Sequence, residues 1–336
     1  MAKCIRVPKR EGEPYRRGLI EDGLLDLAYR IGSDGSDILI PCTCDEYRGI
    51  RAEEAELRPQ EHGTNDYREK VDVPAELREL LPNSHDVVGD IAITKLEDPL
   101  LPYKEEIGRA MMKACPNIRA VFLDGGVKGE FRIRELERIA GEGTSEVIHK
   151  EFGTRLMTDP AKVYFNPRLA NERARVAEMV RPGEVIIDMF AGVAPFGSVI
   201  CRNAQPEKVY SIDLNPECEK YMRENVRMNH ITNMECMIGD SVELVKALPK
   251  ADRVVMNLPQ IADQFLDAAL GVCKPDGIIH MHKIMERAEL PTYQDDLKRR
   301  MAEKGFGMRV VRIQELKTYS PTMSVYVFDI SPDSLE

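Results

Sequence analysis

EVIIDMFAGVAPFG, residues 184–197, is the stretch that decides the fold. The apolar run VIID passes directly into a turn carrying Gly192 and Gly197 and then into an apolar helical segment. This is a buried strand feeding a helix through a tight turn, the opening unit of a doubly wound sheet. Ligands of such sheets lie beyond the carboxyl ends of the strands. Glycine lets the backbone approach a ligand closely and lets the helix start against the sheet. A strand-to-helix turn of this kind also occurs with no ligand, so the weight falls on the residues that follow.

Downstream, strands and helices alternate. KVYSIDL (208–214), MECMIGD (234–240), DRVVMNL (252–258) and GIIHMHKI (277–284) read as strands. NERARVAEMV (171–180), PECEKYMRENVRMN (216–229), SVELVKAL (241–248), IADQFLDAALGVC (261–273) and PTYQDDLKRRMAEKG (291–305) read as helices. MRVVRIQELKTYS (308–320) and MSVYVFDIS (323–331) close the chain as a hairpin. The predicted fold is α/β, a doubly wound, mostly parallel sheet. The terminal antiparallel hairpin separates it from a plain dinucleotide-binding fold and is expected of a class I, Rossmann-like methyltransferase.

Polar residues stand where the strands end. Asp188 closes the first strand. Asp213 follows the glycine turn by about 20 residues, where an acid accepts hydrogen bonds from ribose hydroxyls. Asp240 ends the third strand, where a carboxylate can receive an adenine amine, and Asn257 opens Asn-Leu-Pro-Gln after the fourth. A nicotinamide enzyme accounts for Asp213 but has no particular use for Asn-Leu-Pro-Gln. S-adenosylmethionine is therefore the expected cofactor. Asn-x-Pro at this position suits nitrogen methylation of a planar substrate: Pro259 fixes the turn, and the Asn257 amide offers a donor and an acceptor to a base edge. Gln260 stands where many adenine methyltransferases carry an aromatic, and no Pro-Cys suited to cytosine C5 chemistry lies on this strand.

Working outward to the N-terminus, residues 1–50 read as a small mixed unit: a strand at CIRVPK (4–9), a helix over residues 12–31 and a strand at DILIPCT (37–43). Residues 51–72 are polar and aperiodic and read as a linker, with a boundary near residue 65. PAELRELLP (74–82) reads as a helix ended by Pro82, SHDVVGDIAITKL (84–96) as one strand bent at glycine, and PLLPYKEEIGRAMMKAC (99–115) as a helix opened by proline. NIRAVFLDGG (117–126), EFRIRELERIAG (130–141) and SEVIHKEFGTRLMTD (145–159) read as strands, giving an antiparallel sheet with helices beside it. The expected division is 1–65, a small N-terminal domain; 66–170, an α+β section; and 171–336, the cofactor-binding domain.

With 336 residues the chain exceeds one ordinary core. Its 43% hydrophobic and 31% charged residues are those of a globular protein. No apolar run approaches the roughly 20 residues of a membrane span, and the N-terminus lacks a signal-type apolar stretch; a cytoplasmic monomer is expected. The eight cysteines are scattered without a CxxC pair and read as reduced thiols. Cys42 and Cys44, and His280 and His282, are the nearest approaches to metal pairs, and no metal is expected. The net charge of −10 argues, taken alone, against a nucleic-acid partner. Local stretches differ: Lys3, Arg6, Lys9, Arg10, Arg16 and Arg17 crowd the start, and Arg132, Arg134, Arg138, Lys150, Arg155, Lys162, Arg168, Arg173 and Arg175 form a second run. Acids are interspersed there, so a solvated face is the plainer alternative.

The chain resembles the archaeal and eukaryotic tRNA (guanine-N1)-methyltransferases acting at position 37. The likeness is carried by VVGDIAITKL (87–96), FRIRELERIAGE (131–142), EVIHKEFG (146–153), KVYFNPRLANERARVAE (162–178), VIIDMFAGVAPF (185–196), SIDLNP (211–216), MNLP (256–259) and KTYSP (317–321). KVYFNPRLANER is far more specific than the glycine turn. The resemblance implies Glu172 as general base, Arg132 as the group that stabilises charge on guanine, and Tyr164, Asn257 and Pro259 around the base. It further implies Arg173, Asp213, Leu214, Asp240, Ser241 and Asn257 near the cofactor, where Asp188 and Gly192 of the first strand and its turn are also expected, and tRNA as partner through its anticodon stem-loop and outer corner. Ala194 departs from the family's usual glycine and is expected to crowd the cofactor's methionine end. The chemistry asks for these types. Guanine N1 is protonated at neutral pH, a carboxylate can take that proton, and a guanidinium stabilises the charge that spreads to O6. The plainer readings are a helix-start carboxylate at Glu172 and a solvated strand arginine at Arg132. Other transferases of the wyosine pathway, moving a methyl or an aminocarboxypropyl group at the same nucleotide, are the nearest alternative. A non-catalytic tRNA-binding protein and a protein methyltransferase are more distant ones.

Overall fold

The computed structural model describes residues 2–59, 66–129 and 131–334, and the chain divides into two units, Met1–Asp66 and Tyr67–Glu336. The expected boundary near residue 65 falls in 60–65, outside the described residues. The N-terminal unit holds β1 (Ala2–Pro8), α1 (Gly12–Glu21), β2 (Gly32–Asp34), β3 (Asp37–Pro41), β4 (Glu46–Tyr47), β5 (Ile50–Arg51) and β6 (Glu53–Ala55). Its sheet runs β2-β3-β1-β6, antiparallel throughout, over a core of Ile5, Val7, Leu19, Ile40, Cys42 and Tyr47. Two expectations are corrected. The helix stops at Glu21, because Gly23 takes φ +68° and the Leu24 and Leu25 amides turn back to the Leu19 carbonyl. Residues 53–55, read as linker, pair with β1 as an edge strand whose outward side chains hid it among polar residues.

The second unit begins with β7 (Asp86–Val88), β8 (Ile91–Thr94), α2 (Lys104–Ala114), β9 (Ala120–Lys128), β10 (Ile133–Gly141), β11 (Val147–Glu151) and β12 (Thr154–Thr158). SHDVVGDIAITKL is a hairpin rather than one strand, reversing at Gly89 with φ +57°. Residues 145–159 likewise form a hairpin, β11–β12, around Phe152 and Gly153. The four-stranded sheet runs β10-β9-β8-β7, and β8 pairs with β9 in parallel, so it is mixed and not antiparallel as expected. The crossover helix α2 is what allows that parallel pair. Ala75–Leu80 forms a 3-10 helix instead of an α-helix; the stretch between Pro74 and Pro82 is too short to nucleate more.

There follow α3 (Ala170–Met179), β13 (Val185–Asp188), α4 (Pro195–Asn203), β14 (Lys208–Asp213), α5 (Cys218–Met228), β15 (Met234–Ile238), α6 (Ser241–Leu244), β16 (Ala251–Met256), α7 (Leu266–Val272), β17 (Cys273–Glu286), α8 (Leu290–Glu303), β18 (Phe306–Thr318) and β19 (Met323–Ser334). The seven-stranded sheet runs β15-β14-β13-β16-β17-β19-β18. The first five pair in parallel, and β19 enters antiparallel between β17 and β18. Alternate residues of β13 serve opposite faces. Ile186 joins Val176, Phe196 and Tyr221 on one side, and Ile187 joins Leu266, Leu270 and Met301 on the other. Each such buried side chain contributes roughly 1.5–3 kcal/mol. At Gly197 a Cβ would fall 2.6 Å from Met234 Sδ and from Ser211 Oγ, so this glycine is what lets α4 lie against the sheet.

Candidate active site

The sheet order reverses between β13 and β16, and their carboxyl ends part to open a cavity of about 540 Å³, a size suited to a small-molecule ligand. Gly192 lines it with φ +57°, and its N–H donates to Asp213 Oδ2 at 2.6 Å. The other Asp213 oxygen accepts the Asn215 N–H at 2.9 Å. Burial raises the Asp213 pKa, against the lowering pull of these amides. Leu214, exposed, and Ser241, buried, flank it, and Asp240 caps α6 by accepting the Val242 N–H at 2.8 Å. Phe190 and Phe265 meet edge to face, with centroids 4.7 Å apart, on the same wall. The donor set fits S-adenosylmethionine. Lone pairs left over on Asp213 suit ribose hydroxyls, Asp240 and Ser241 suit an adenine edge, and at Gly192 a Cβ would crowd the Tyr164 carbonyl at 3.0 Å.

The substrate-binding expectations converge on this cavity: Tyr164, Arg132, Asn257 and Pro259 all line it. Arg132 is not on a strand as read. It ends a turn with φ +54°, its N–H donating to the Gly129 carbonyl at 3.2 Å, and β10 starts one residue later. Glu130, the first residue of the expected strand, lies outside the described residues. Among the described residues neither the Arg132 guanidinium nor the Asn257 amide has a hydrogen-bond or ion-pair partner. That sets Arg132 apart from the other arginines of the basic run: Arg134 and Arg168 share Asp86, Arg138 and Arg155 reach backbone carbonyls, and Arg173 and Arg175 are ion-paired.

Three expected residues stand behind the cavity wall. Arg173, 1% exposed, grips Glu151 at 2.5 and 2.6 Å, donates to the Asn166 carbonyl at 3.2 Å and lies over the Phe165 ring. It therefore fixes the segment carrying Tyr164. Asp188 is fully enclosed, with neither oxygen in a well-formed hydrogen bond, and burial pushes its pKa up to about 8, the Asp213 charge adding to the rise. Glu172, 5% exposed, is held by Arg175 at 2.6 and 2.8 Å and lies 3.6 Å from His282. Burial pushes its carboxyl up, but Arg175 and His282 outweigh it and hold it at about 2. Ala194 does not line the cavity. It is buried in the left-handed region at φ 57°, so its added methyl acts on the backbone and not on the cofactor's methionine end. Phe190, Phe265 and Ile261 line the cavity without having been singled out; apolar residues carry no signal that separates them from core. All eight cysteines are free, and no metal-binding group occurs among the described residues.

The strand order, the antiparallel last pair and the glycine turn between acids define a class I S-adenosylmethionine-dependent methyltransferase. Comparison with known proteins narrows this. Residues 147–311 match the TRM5/TYW2 methyltransferase domain, 68–144 the TYW2 N-terminal domain and 4–46 the tRNA methyltransferase 5 N-terminal domain. The chain is 42% identical over 323 residues, 96% of each chain, to the tRNA (guanine(37)-N(1))-methyltransferase Trm5b of Pyrococcus abyssi. The crystal structure of that Trm5b covers 99% of this chain and all of its own, with a TM-score of 0.76 at 40% identity. A structure of aTrm5 in complex with tRNALeu covers 98% of this chain and 99% of its own, with a TM-score of 0.69 at 33% identity. The chain belongs to the TRM5/TYW2 methyltransferase family. No helix among the described residues is long and apolar enough to cross a membrane.

Proposed function

We propose that the chain transfers a methyl group from S-adenosylmethionine to N1 of guanosine 37 in tRNA. The observation that carries this reading is the pairing, in one cavity, of a nucleoside-binding wall at Asp213 and Asp240 with a guanidinium and an amide, at Arg132 and Asn257, that have no partner among the described residues. Asp213, Gly192, Asp240 and Ser241 would hold the cofactor, which supplies an electrophilic methyl on a sulfonium. Tyr164 and Pro259 would flank the base and Asn257 would hydrogen-bond its edge. Arg132 would meet O6 as negative charge develops there, and Glu172 would accept the N1 proton. An arginine with no anion of its own is available for that charge, whereas Arg134 and Arg168 already share Asp86.

The overall acidity does not oppose an RNA partner, because the charge is uneven. Arg168 is half exposed beside Arg134 and Asp86, and the half-buried Lys317 has its pKa lowered by burial and then by Arg168 and Arg134, with Asp86 pulling the other way. A backbone phosphate would relieve that strain. In the N-terminal unit, Lys3, Arg6, Arg16 and Arg17 are engaged by Asp45, Asp34, Glu53 and Glu13. Its proposed contact with the tRNA outer corner therefore rests on the match to the tRNA methyltransferase 5 N-terminal domain.

The test is to treat an unmodified tRNA transcript with the full chain and labelled cofactor and to identify the nucleoside by mass spectrometry. 1-Methylguanosine, absent when position 37 is changed, is the expected product; an aminocarboxypropyl adduct, or methylation elsewhere, overturns the reading. Deleting residues 1–65 should leave cofactor affinity unchanged and weaken tRNA binding, as read by calorimetry and filter binding; undiminished tRNA affinity would remove this unit from the interface.

A further inference from the structure

The basic run read from the sequence contains one arginine whose pairing the reaction scheme leaves unused. Arg175 lies on α3, one turn beyond Glu172, and is caught between two carboxylates. Nε and Nη2 donate to Glu172 at 2.8 and 2.6 Å, while Nη1 and Nη2 donate to Asp329 of β19 at 2.6 and 3.2 Å. Asp329 is itself fully buried and receives the His280 Nδ1–H at 2.6 Å. Arg253 lies beyond His280 at 3.4 Å and is neutralised by Glu184 at 2.6 Å. His282 of β17 faces Glu172 at 3.6 Å, itself fully buried and with neither ring nitrogen hydrogen-bonded. It follows Met281, the strand partner of Met256, and so stands level with Asn257.

We propose that Arg175, anchored from behind by Asp329 and His280, is a positioning residue that keeps the Glu172 carboxylate ionised and oriented beside the guanosine pocket. This rests on the reading of Glu172 as the base. A carboxyl this deeply enclosed would by burial alone take up a proton near neutrality, and a protonated Glu172 cannot accept one from N1. Among the described residues Arg175 is the full cation paired with it, and His282 is the second titratable group in contact. The grip comes from the same helix, so sequence spacing sets it. The second acceptor, Asp329, is 154 residues away, and it holds the guanidinium from the side opposite Glu172.

The experiment is the single-turnover methylation rate of each variant divided by that of wild type, from pH 5.5 to 8.5, a ratio that cancels the titration of the guanine itself. For Arg175→Met the ratio should fall at least about tenfold between pH 8 and pH 6, since burial shifts carboxyl pKa values by up to several units. For Asp329→Asn, which breaks the same buried network but leaves the cation on Glu172, the ratio should be flat. Arg175→Lys keeps the charge without the two-pronged geometry and should give a lowered but flat ratio; it also stands in should the Met variant fail to fold. A flat ratio for Arg175→Met, a falling one for Asp329→Asn or a falling one for Arg175→Lys overturns the proposal. Glu172→Gln separates the two readings. A near-normal rate there sinks the base assignment itself, whereas a slow Glu172→Gln with a flat Arg175→Met sinks only the positioning role.

Discussion

On the β14–β15 side of the cavity, Asp213 is fixed by two backbone amides and Asp240 by the helix cap its Oδ1 makes. Elsewhere on its lining Asn257, after β16, and Arg132, before β10, have no partner among the described residues, and behind the wall Glu172 is closed into an ion pair with Arg175. The first side holds its ligand-binding atoms with local backbone and can receive a nucleoside without rearrangement. The second draws its groups from elements far apart in the chain and leaves them to be satisfied by a substrate. The difference teaches that cofactor binding should respond to single local changes, while chemistry should respond to the network behind Glu172.

The largest effect should come from the second side. Glu172→Gln keeps shape and hydrogen bonding but not basicity, so the single-turnover rate should drop by about 10²–10⁴ with cofactor and tRNA affinities within a few-fold. Arg132→Ala should slow the same step by roughly 10²–10³, and the two losses should not add fully, because both groups serve one proton transfer. Because, against the pull of burial, Arg175 and His282 hold the Glu172 carboxyl well below its ordinary range, its own titration should not appear in the wild-type rate near neutrality. Full additivity in the double variant would show that the two residues act separately.

On the first side, Asp213→Ala should weaken S-adenosylmethionine binding at least tenfold, about 1.4 kcal/mol, while leaving the rate at saturating cofactor much less affected. Unchanged affinity by calorimetry would take Asp213 out of the site.

Asp188 supplies a pH test of the same side. Its folded pKa of about 8 lies above the ordinary 3.8, so between these values the folded state binds the extra proton, and its contribution to stability falls as pH rises. Asp188→Asn should remove that fall: the melting temperature of wild type relative to the variant should decline from pH 5 to pH 8. Parallel curves would mean that the carboxyl is ionised when folded. The smallest effect is at Ala194. Its left-handed backbone costs roughly 1–2 kcal/mol, and glycine returns about 0.4–1 kcal/mol of that through unfolded-chain entropy. Ala194→Gly should therefore stabilise by about 1 kcal/mol or less with cofactor affinity unchanged. A large affinity gain would restore the crowding that the sequence suggested.

What the sequence by itself determined was local in origin. The glycine turn after VIID, the acids closing successive strands and the Asn-Leu-Pro-Gln turn follow from a few adjacent residues, and the doubly wound sheet with its terminal hairpin follows from their alternation. Even the hairpins at Gly89 and Phe152–Gly153 left traces, but a positive φ inside an apolar run reads as a bend as readily as a reversal. Tertiary structure alone decided which charges were free. Arg132, Arg134, Arg173 and Arg175 look alike in the chain. The last three are silenced by Asp86, by Glu151 at 22 residues' separation and by Asp329 at 154. A charge's availability depends on what folds against it, and a buried ion pair between distant elements leaves no periodicity for the sequence to show.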